Sequence, residues 1–128
     1  MKRPPYQSRS KRELQRALRW GLKACNLRNW DAELFVDDEA DDNEDLKDLY
    51  PAQAGVVRYK HDQHAVVGLW NQDCQRHGID PVANIFHEVT HVLLNEVYPE
   101  KLPHLQYDAW ERLCNRIAII LFQLWERR

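Results

Sequence analysis

The sequence predicts one α+β domain with an N-terminal helix, a three-stranded and mostly antiparallel sheet, and two further helices. The 128 residues are 44% hydrophobic and 30% charged, which is typical of one globular domain with a real core. Apolar and polar residues alternate at residues 30–36, and two runs rich in β-forming residues follow within the first 70 residues, which indicates three strands. Towards the end of the chain apolar residues recur every three or four positions, which indicates helices.

The first helix is marked by a capping-box sequence at Ser10 to Glu13, and we expect it to end near Asn26. The preceding residues 1–9 are basic and contain two consecutive prolines. We therefore expect a flexible tail in front of a single domain that comprises residues 10–128.

The strands are expected at residues 30–36, Val56–Lys60 and Ala65–Trp70, with the last two forming a hairpin. Between the first two strands, residues 37–48 contain eight acidic residues and one lysine. Charges of one sign at this density repel each other, so we expect a solvated loop, which would favour basic substrates if it lay near a cleft.

The sequence H-E-x-x-H at residues 87–91 is the motif that says most about function, because it is typical of a metal site on a helix. Asp80 is suited to cap the helix that contains it. Two histidines four positions apart on a helix project about 40° apart around its axis. His87 and His91 are therefore candidate ligands of one metal ion, with Glu88 as a candidate base towards water. The alternative is a core helix that happens to carry two histidines.

A catalytic zinc ion usually has three protein ligands and one open position. Glu111 is the first candidate for the third ligand, since it lies 20 residues after His91 on the apolar helix predicted at residues 107–126. A buried carboxylate needs a partner, and a metal ion would supply it. His104, in the loop before this helix, is the alternative ligand.

The H-E-x-x-H motif followed by Glu-x-x-x-Asn-Arg-x-Ala at residues 111–118 resembles the small gluzincins, in particular the ImmA/IrrE-type metallopeptidases. The resemblance covers roughly residues 55–122. It implies a zincin-like fold, zinc held by the two motif histidines and by the glutamate that opens the second motif, and Glu88 as the catalytic base. With His104 as third ligand, the chain would be more similar to SprT-type proteases.

The resemblance also implies a mechanism in which zinc activates water and Glu88 transfers its proton to the leaving amine. Tyr107, one turn before the glutamate ligand, is a candidate to stabilise the oxyanion, with His104 and Tyr98 as alternatives. Asn115 and Asp108 are candidates to orient the histidines. In zincins an edge strand pairs with the extended substrate. Here the resemblance assigns that role to the strand Ala65, Val66, Val67, Gly68, Leu69, Trp70.

Composition bears on the possible partners. The net charge of −2 gives no general reason to expect nucleic acid, although residues 2–19 hold seven basic residues and one acidic residue. We see no apolar run of membrane-spanning length, no signal-peptide core and no disulfide framework. We expect a cytoplasmic protein that acts on a protein or peptide substrate. The alternative is a zincin-like binding module without peptidase activity that acts through protein–protein contact.

Overall fold

The computed structural model of the chain describes residues 3–49, 52–97 and 104–128, and leaves out the side chains of residues 97 and 104–106. Within this part of the chain the predicted α+β class is confirmed. In chain order the elements are α1 (Lys11–Ala24), β1 (Asp31–Val36), α2 (Asp38–Asp42), a 3₁₀ turn (Lys47–Leu49), β2 (Ala54–Tyr59), β3 (His64–Leu69), α3 (Asn71–Arg76), α4 (Pro81–Val97) and α5 (His104–Glu126).

The sheet is mixed, with strand order β1-β3-β2. β3 pairs with β2 as the predicted antiparallel hairpin, but it pairs with β1 in parallel. The prediction of a mostly antiparallel sheet is therefore wrong, because the chain passes from β1 to β2 before β3 inserts between them. Val67 of β3 lies opposite Leu34 on one side and Val56 on the other, at the centre of the sheet.

One face of the sheet is covered by α1 and α4, α5 packs against these two helices, and this side contains the main core. Phe86 of α4 is fully buried, with its ring 5.5 Å from that of Trp20 and 6.2 Å from that of Trp125. Gly21 of α1 lets the two helices approach closely, because a Cβ atom there would lie 3.1 Å from the Phe86 ring. Phe86, which directly precedes the H-E-x-x-H motif, is thus packed between α1 and α5.

The acidic residues 37–48 lie on the opposite face of the sheet, away from α4. They include α2 and lead into the 3₁₀ turn, so they are not a loop throughout, but their acidic side chains are mostly exposed to solvent, as their charge predicts. Ala40 and Leu46 are fully buried in a second cluster with Val66 and Trp70, and this apolar contact offsets the repulsion between the carboxylates.

Residues 3–9 pack along the domain. The backbone N–H of Tyr6 donates to the carbonyl of Gly78, and the Arg9 guanidinium lies 2.7 Å from the Asp80 carboxylate. Asp80 also caps α4 as predicted, since it accepts a hydrogen bond from the N–H of Val82 at 2.9 Å. One buried carboxylate thus fixes both the N-terminal segment and the start of the motif helix.

Candidate metal centre

His87, His91 and Glu111 converge between α4 and α5, and together they could hold a metal ion. Glu111 lies 3.0 Å from the Nε2 atom of each histidine, using a different carboxylate oxygen for each. The two Nε2 atoms are 3.1 Å apart. Zinc–nitrogen bonds of about 2.0–2.1 Å in a tetrahedron place neighbouring ligand atoms roughly 3.3 Å apart. The spacing and the donor types therefore fit such an ion closely.

The three groups are coupled electrostatically. Hydrogen bonds from His87 and His91 hold the pKa of Glu111 well below its ordinary value. Burial lowers the pKa of His91, but contacts with Cys114 and Glu111 and the charge of Glu88 outweigh it and raise the pKa to about 10. In the metal-free protein the proton on His91 thus supplies part of the positive charge that a bound metal ion would bring to the cluster.

Glu88 lies beside this cluster, with 7% of the residue exposed. Burial raises the pKa of its carboxyl group, and the charge of Glu111 acts in the same direction against the opposing effect of the histidines. Glu88, His87 and Glu111 line one open cleft of about 400 Å³. A carboxylate with a raised pKa beside a cleft is suited to accept a proton during a reaction.

Two residues of α5 contact the outward nitrogens of the histidines. The Oδ1 atom of Asn115 lies 2.8 Å from Nδ1 of His87, so Asn115 has the orienting contact expected from the sequence. The thiol of Cys114 lies 3.9 Å from Nδ1 of His91, which the sequence analysis missed. The spacing could have predicted this contact, because Cys114 and Asn115 follow Glu111 by three and four positions and so lie on the same face of the helix. Asp108, the other candidate, is exposed to solvent.

Arg3 contacts the site although it is far from the other site residues in the sequence. One nitrogen of its guanidinium donates to Oδ1 of Asn84 at 2.7 Å, and the other donates to Oδ1 of Asn115 and lies 3.0 Å from Nδ1 of His87. It also lines the cleft. Sequence reasoning missed Arg3 because more than 80 positions separate it from Asn84 and His87, and because a basic N-terminus is usually solvated.

Tyr107 lies beside Glu111, since the charge of that carboxylate and a hydrogen bond to it raise the Tyr107 pKa. Its side chain is half exposed, so it also faces solvent. The alternative ligand His104 has its side chain outside the described residues.

The strand predicted to bind substrate is the central strand β3, so the prediction of an edge strand at Ala65–Trp70 is wrong. Its backbone groups already pair with β1 and β2 and cannot add a substrate strand. Among the strands that the structure describes, β2 is the edge strand at the cleft, which Gln53 and Ala54 help to line.

None of the helices in the described ranges is both long enough and apolar enough to span a membrane. Comparison of the chain with protein-family models, with curated proteins and with solved structures finds no match.

Proposed function

We propose that the chain is a zinc-dependent metallopeptidase of the small gluzincin type. The observation that carries the proposal is the convergence of His87, His91 and Glu111 within 4.8 Å, with Glu88 buried beside them. These are the donor types of a catalytic zinc site with an open position. When bound, zinc would supply a Lewis acid that lowers the pKa of water towards about 7 and polarises the scissile carbonyl.

Glu88 would act as the general base. Its carboxylate would take a proton from the attacking water and deliver that proton to the leaving nitrogen of the cleaved peptide bond. The cleft that Glu88 shares with His87 and Glu111 provides access for a substrate. The raised pKa brings the carboxyl group nearer to neutral pH, where it can both accept and release a proton.

Two further elements would bind the peptide. The free edge of β2 would pair with an extended substrate through main-chain hydrogen bonds. The hydroxyl of Tyr107 would donate a hydrogen bond to the oxyanion that develops at the attacked carbonyl. The described cysteines Cys25, Cys74 and Cys114 are all free thiols, which fits action on a protein or peptide in a reducing, cytoplasmic compartment.

The test combines metal analysis with a cleavage assay on denatured casein and a quenched fluorogenic peptide library. We expect the wild type to hold one zinc ion per chain and to cleave. Glu88→Gln should hold the same zinc and lose at least about 100-fold in cleavage rate, because it keeps the shape and removes the base. Glu126→Gln, at an exposed position on α5, is the matched control and should cleave as the wild type does.

A wild type without bound zinc after incubation with the metal would refute the proposal at its first step. Cleavage by Glu88→Gln at the wild-type rate would remove Glu88 from the mechanism. Zinc binding with no cleavage of casein or of any library peptide would instead favour a zincin-like binding module.

A further inference from the structure

The strand β1 forms the edge of the sheet that lies farthest from the cleft. In the order β1-β3-β2, β3 lies on one side of β1, and no described strand pairs with its other side. The N–H groups of Asp31 and Asp37 donate to carbonyls of β3 and of the residue before it. Successive residues of a strand direct their backbone groups to opposite sides, so those of Ala32 and Leu34 point away from the sheet and can pair with another strand.

An open groove of about 880 Å³ runs along this free edge, between β1 and one face of α1. Leu22, which is buried, forms part of its apolar lining, and Arg19, Lys23 and Arg28 are among its charged residues. These three cations are exposed, and none forms an ion pair within residues 3–49, 52–97 and 104–128. The free backbone groups of β1 thus lie beside cations that no described carboxylate neutralises.

A strand added at this edge would continue the alternation of β1. The side chain of Leu34 is buried in the main core beside α1, whereas Glu33 lies on the other face of the sheet, where it contacts His64. Every second side chain of an added strand would therefore face α1 and its cations, and the side chains between them would face the acidic side. Acidic residues are favoured at the first set of positions and disfavoured at the second.

A second copy of the chain is a poor occupant of this edge. Two β1 strands paired about a two-fold axis would bring Asp31 and Glu33 of one copy close to the same carboxylates of the other, which is unfavourable. A single-stranded nucleic acid would offer phosphates to the cations, but its backbone does not match the donors and acceptors of a strand edge. An extended acidic peptide matches both the cations and the backbone groups.

We propose that the free edge of β1 and the cations beside it form a docking site for an extended segment of a partner protein with acidic side chains at alternate positions. The segment would pair with Ala32 and Leu34 through main-chain hydrogen bonds, and its carboxylates would contact Arg19, Lys23 and Arg28. The cleft of the candidate metal centre lies beside β2, at the other edge of the sheet. The docking site is therefore independent of the proposed peptidase activity.

The experiment measures the binding of fluorescently labelled hexapeptides to the full chain by fluorescence anisotropy. The probe is Glu-Thr-Glu-Thr-Glu-Thr, and mass spectrometry afterwards checks that it is intact. The same peptide with every backbone nitrogen methylated keeps the charges but has no main-chain donors, so it should bind at least about 10-fold more weakly. Glu-Glu-Glu-Thr-Thr-Thr, which has the same composition without the alternation, should bind at least about 3-fold more weakly.

Two double variants make the same change of charge inside and outside the groove. Arg19→Glu with Lys23→Glu should weaken binding of the probe at least about 10-fold, because attraction becomes repulsion. Arg12→Glu with Arg16→Glu changes exposed positions of α1 that do not line the groove, and should bind within about 2-fold of the wild type. Ala32→Pro removes an outward N–H group without removing a bond to β3, and should weaken binding about 5-fold. Thermal melting shows whether each variant is folded.

The inference is overturned if the chain does not bind the probe at millimolar concentration, if either altered peptide binds as tightly as the probe, or if the two double variants lose affinity equally. Tighter binding of a six-nucleotide oligo(dT) than of the probe, lost in the Arg19 and Lys23 double variant, would assign the groove to nucleic acid instead. A dimer that sedimentation detects and that Ala32→Pro dissociates would assign the edge to a second copy. The result of the zinc and cleavage assays affects none of these outcomes.

Discussion

The two faces of the sheet carry the same chemical groups in different surroundings. On the helical side, Glu111 lies 3.0 Å from each of the two motif histidines, and these three side chains are 10 to 29% exposed. On the acidic side, His64 lies 3.1 Å from Asp31 and 3.3 Å from Glu33, whose side chains are 82% and 57% exposed. Close contact between histidine and carboxylate is therefore common to both sides.

The difference lies in what surrounds each cluster. Water screens the exposed carboxylates around His64, so their contacts contribute little and their side chains are easily rearranged. The cluster on the helical side is fixed by two long helices and by contacts of its outward nitrogens with Asn115 and Cys114. A short distance alone does not make a metal site, because ligands must also be held in place before the ion arrives.

The largest expected effect separates the two histidine clusters directly. His91→Ala should weaken zinc binding by about 1000-fold or more, because it removes one of three protein ligands. His64→Ala should leave zinc affinity within about 2-fold of the wild type. Isothermal titration with zinc measures both, and a comparable loss for the two variants would contradict the distinction between the two sides.

The second comparison uses two ion pairs with the same 2.7 Å separation. Arg9 and Asp80 are 10% and 0% exposed, whereas Lys11 and Glu39 are 43% and 52% exposed. Arg9→Ala leaves a buried carboxylate without its cation and should cost about 3 kcal/mol of unfolding free energy. Lys11→Ala should cost less than about 1 kcal/mol. Urea denaturation of the two variants tests this, and equal costs would show that burial of the pair is irrelevant.

The third prediction concerns pH and the metal-free protein. The pKa of His91 is raised from 6.5 to about 10, so its contribution to stability is complete below pH 6.5 and is lost as the pH rises towards 10. Between pH 6.5 and about pH 8.5 the loss should be of the order of 2 kcal/mol. His91→Ala should abolish this slope, and His64→Ala should retain it.

The same change of pH should act in the opposite direction on zinc binding, because the ion needs an unprotonated imidazole and displaces the proton of His91. Added zinc should therefore stabilise the protein more at about pH 8.5 than at pH 6.5. Denaturation curves with and without zinc at the two pH values measure the difference. If the stabilisation by zinc did not depend on pH, zinc binding would not displace a proton from His91.

Local signals in the sequence predicted much of this arrangement. The capping box predicted the start of α1, alternation and β-rich runs predicted the three strands, and the four-residue spacing of His87 and His91 predicted two members of the cluster that could hold a metal ion. Glu111 could be found because a carboxylate on an apolar helix needs a partner. Each of these inferences depends on contacts within one element or between neighbouring elements.

The remaining features depend on contacts between distant parts of the chain. The order β1-β3-β2 cannot be obtained from strand periodicity, so the edge strand was misassigned to β3. The contacts of Arg3 depend on a segment that folds back to Asn84 of α4 and Asn115 of α5. Composition predicted that residues 37–48 are solvated, which holds for their acidic side chains, but it did not predict that Ala40 and Leu46 are buried against the sheet.

The smallest expected effect again compares two side chains of one kind. Tyr107 is beside Glu111, and Tyr59 donates a hydrogen bond to Asp45 at 2.5 Å. The charge of Glu111 raises the pKa of Tyr107, and the hydrogen bond to Asp45 raises that of Tyr59, so both hydroxyls stay protonated donors at neutral pH. Of the two tyrosines, only Tyr107 lies beside the proposed metal site. Tyr107→Phe should therefore lower kcat about 10-fold with little change in KM, because the hydroxyl acts on charge that develops during the reaction. Tyr59→Phe should change neither constant, and a loss of kcat in this variant would show that the acidic side of the sheet also contributes to catalysis.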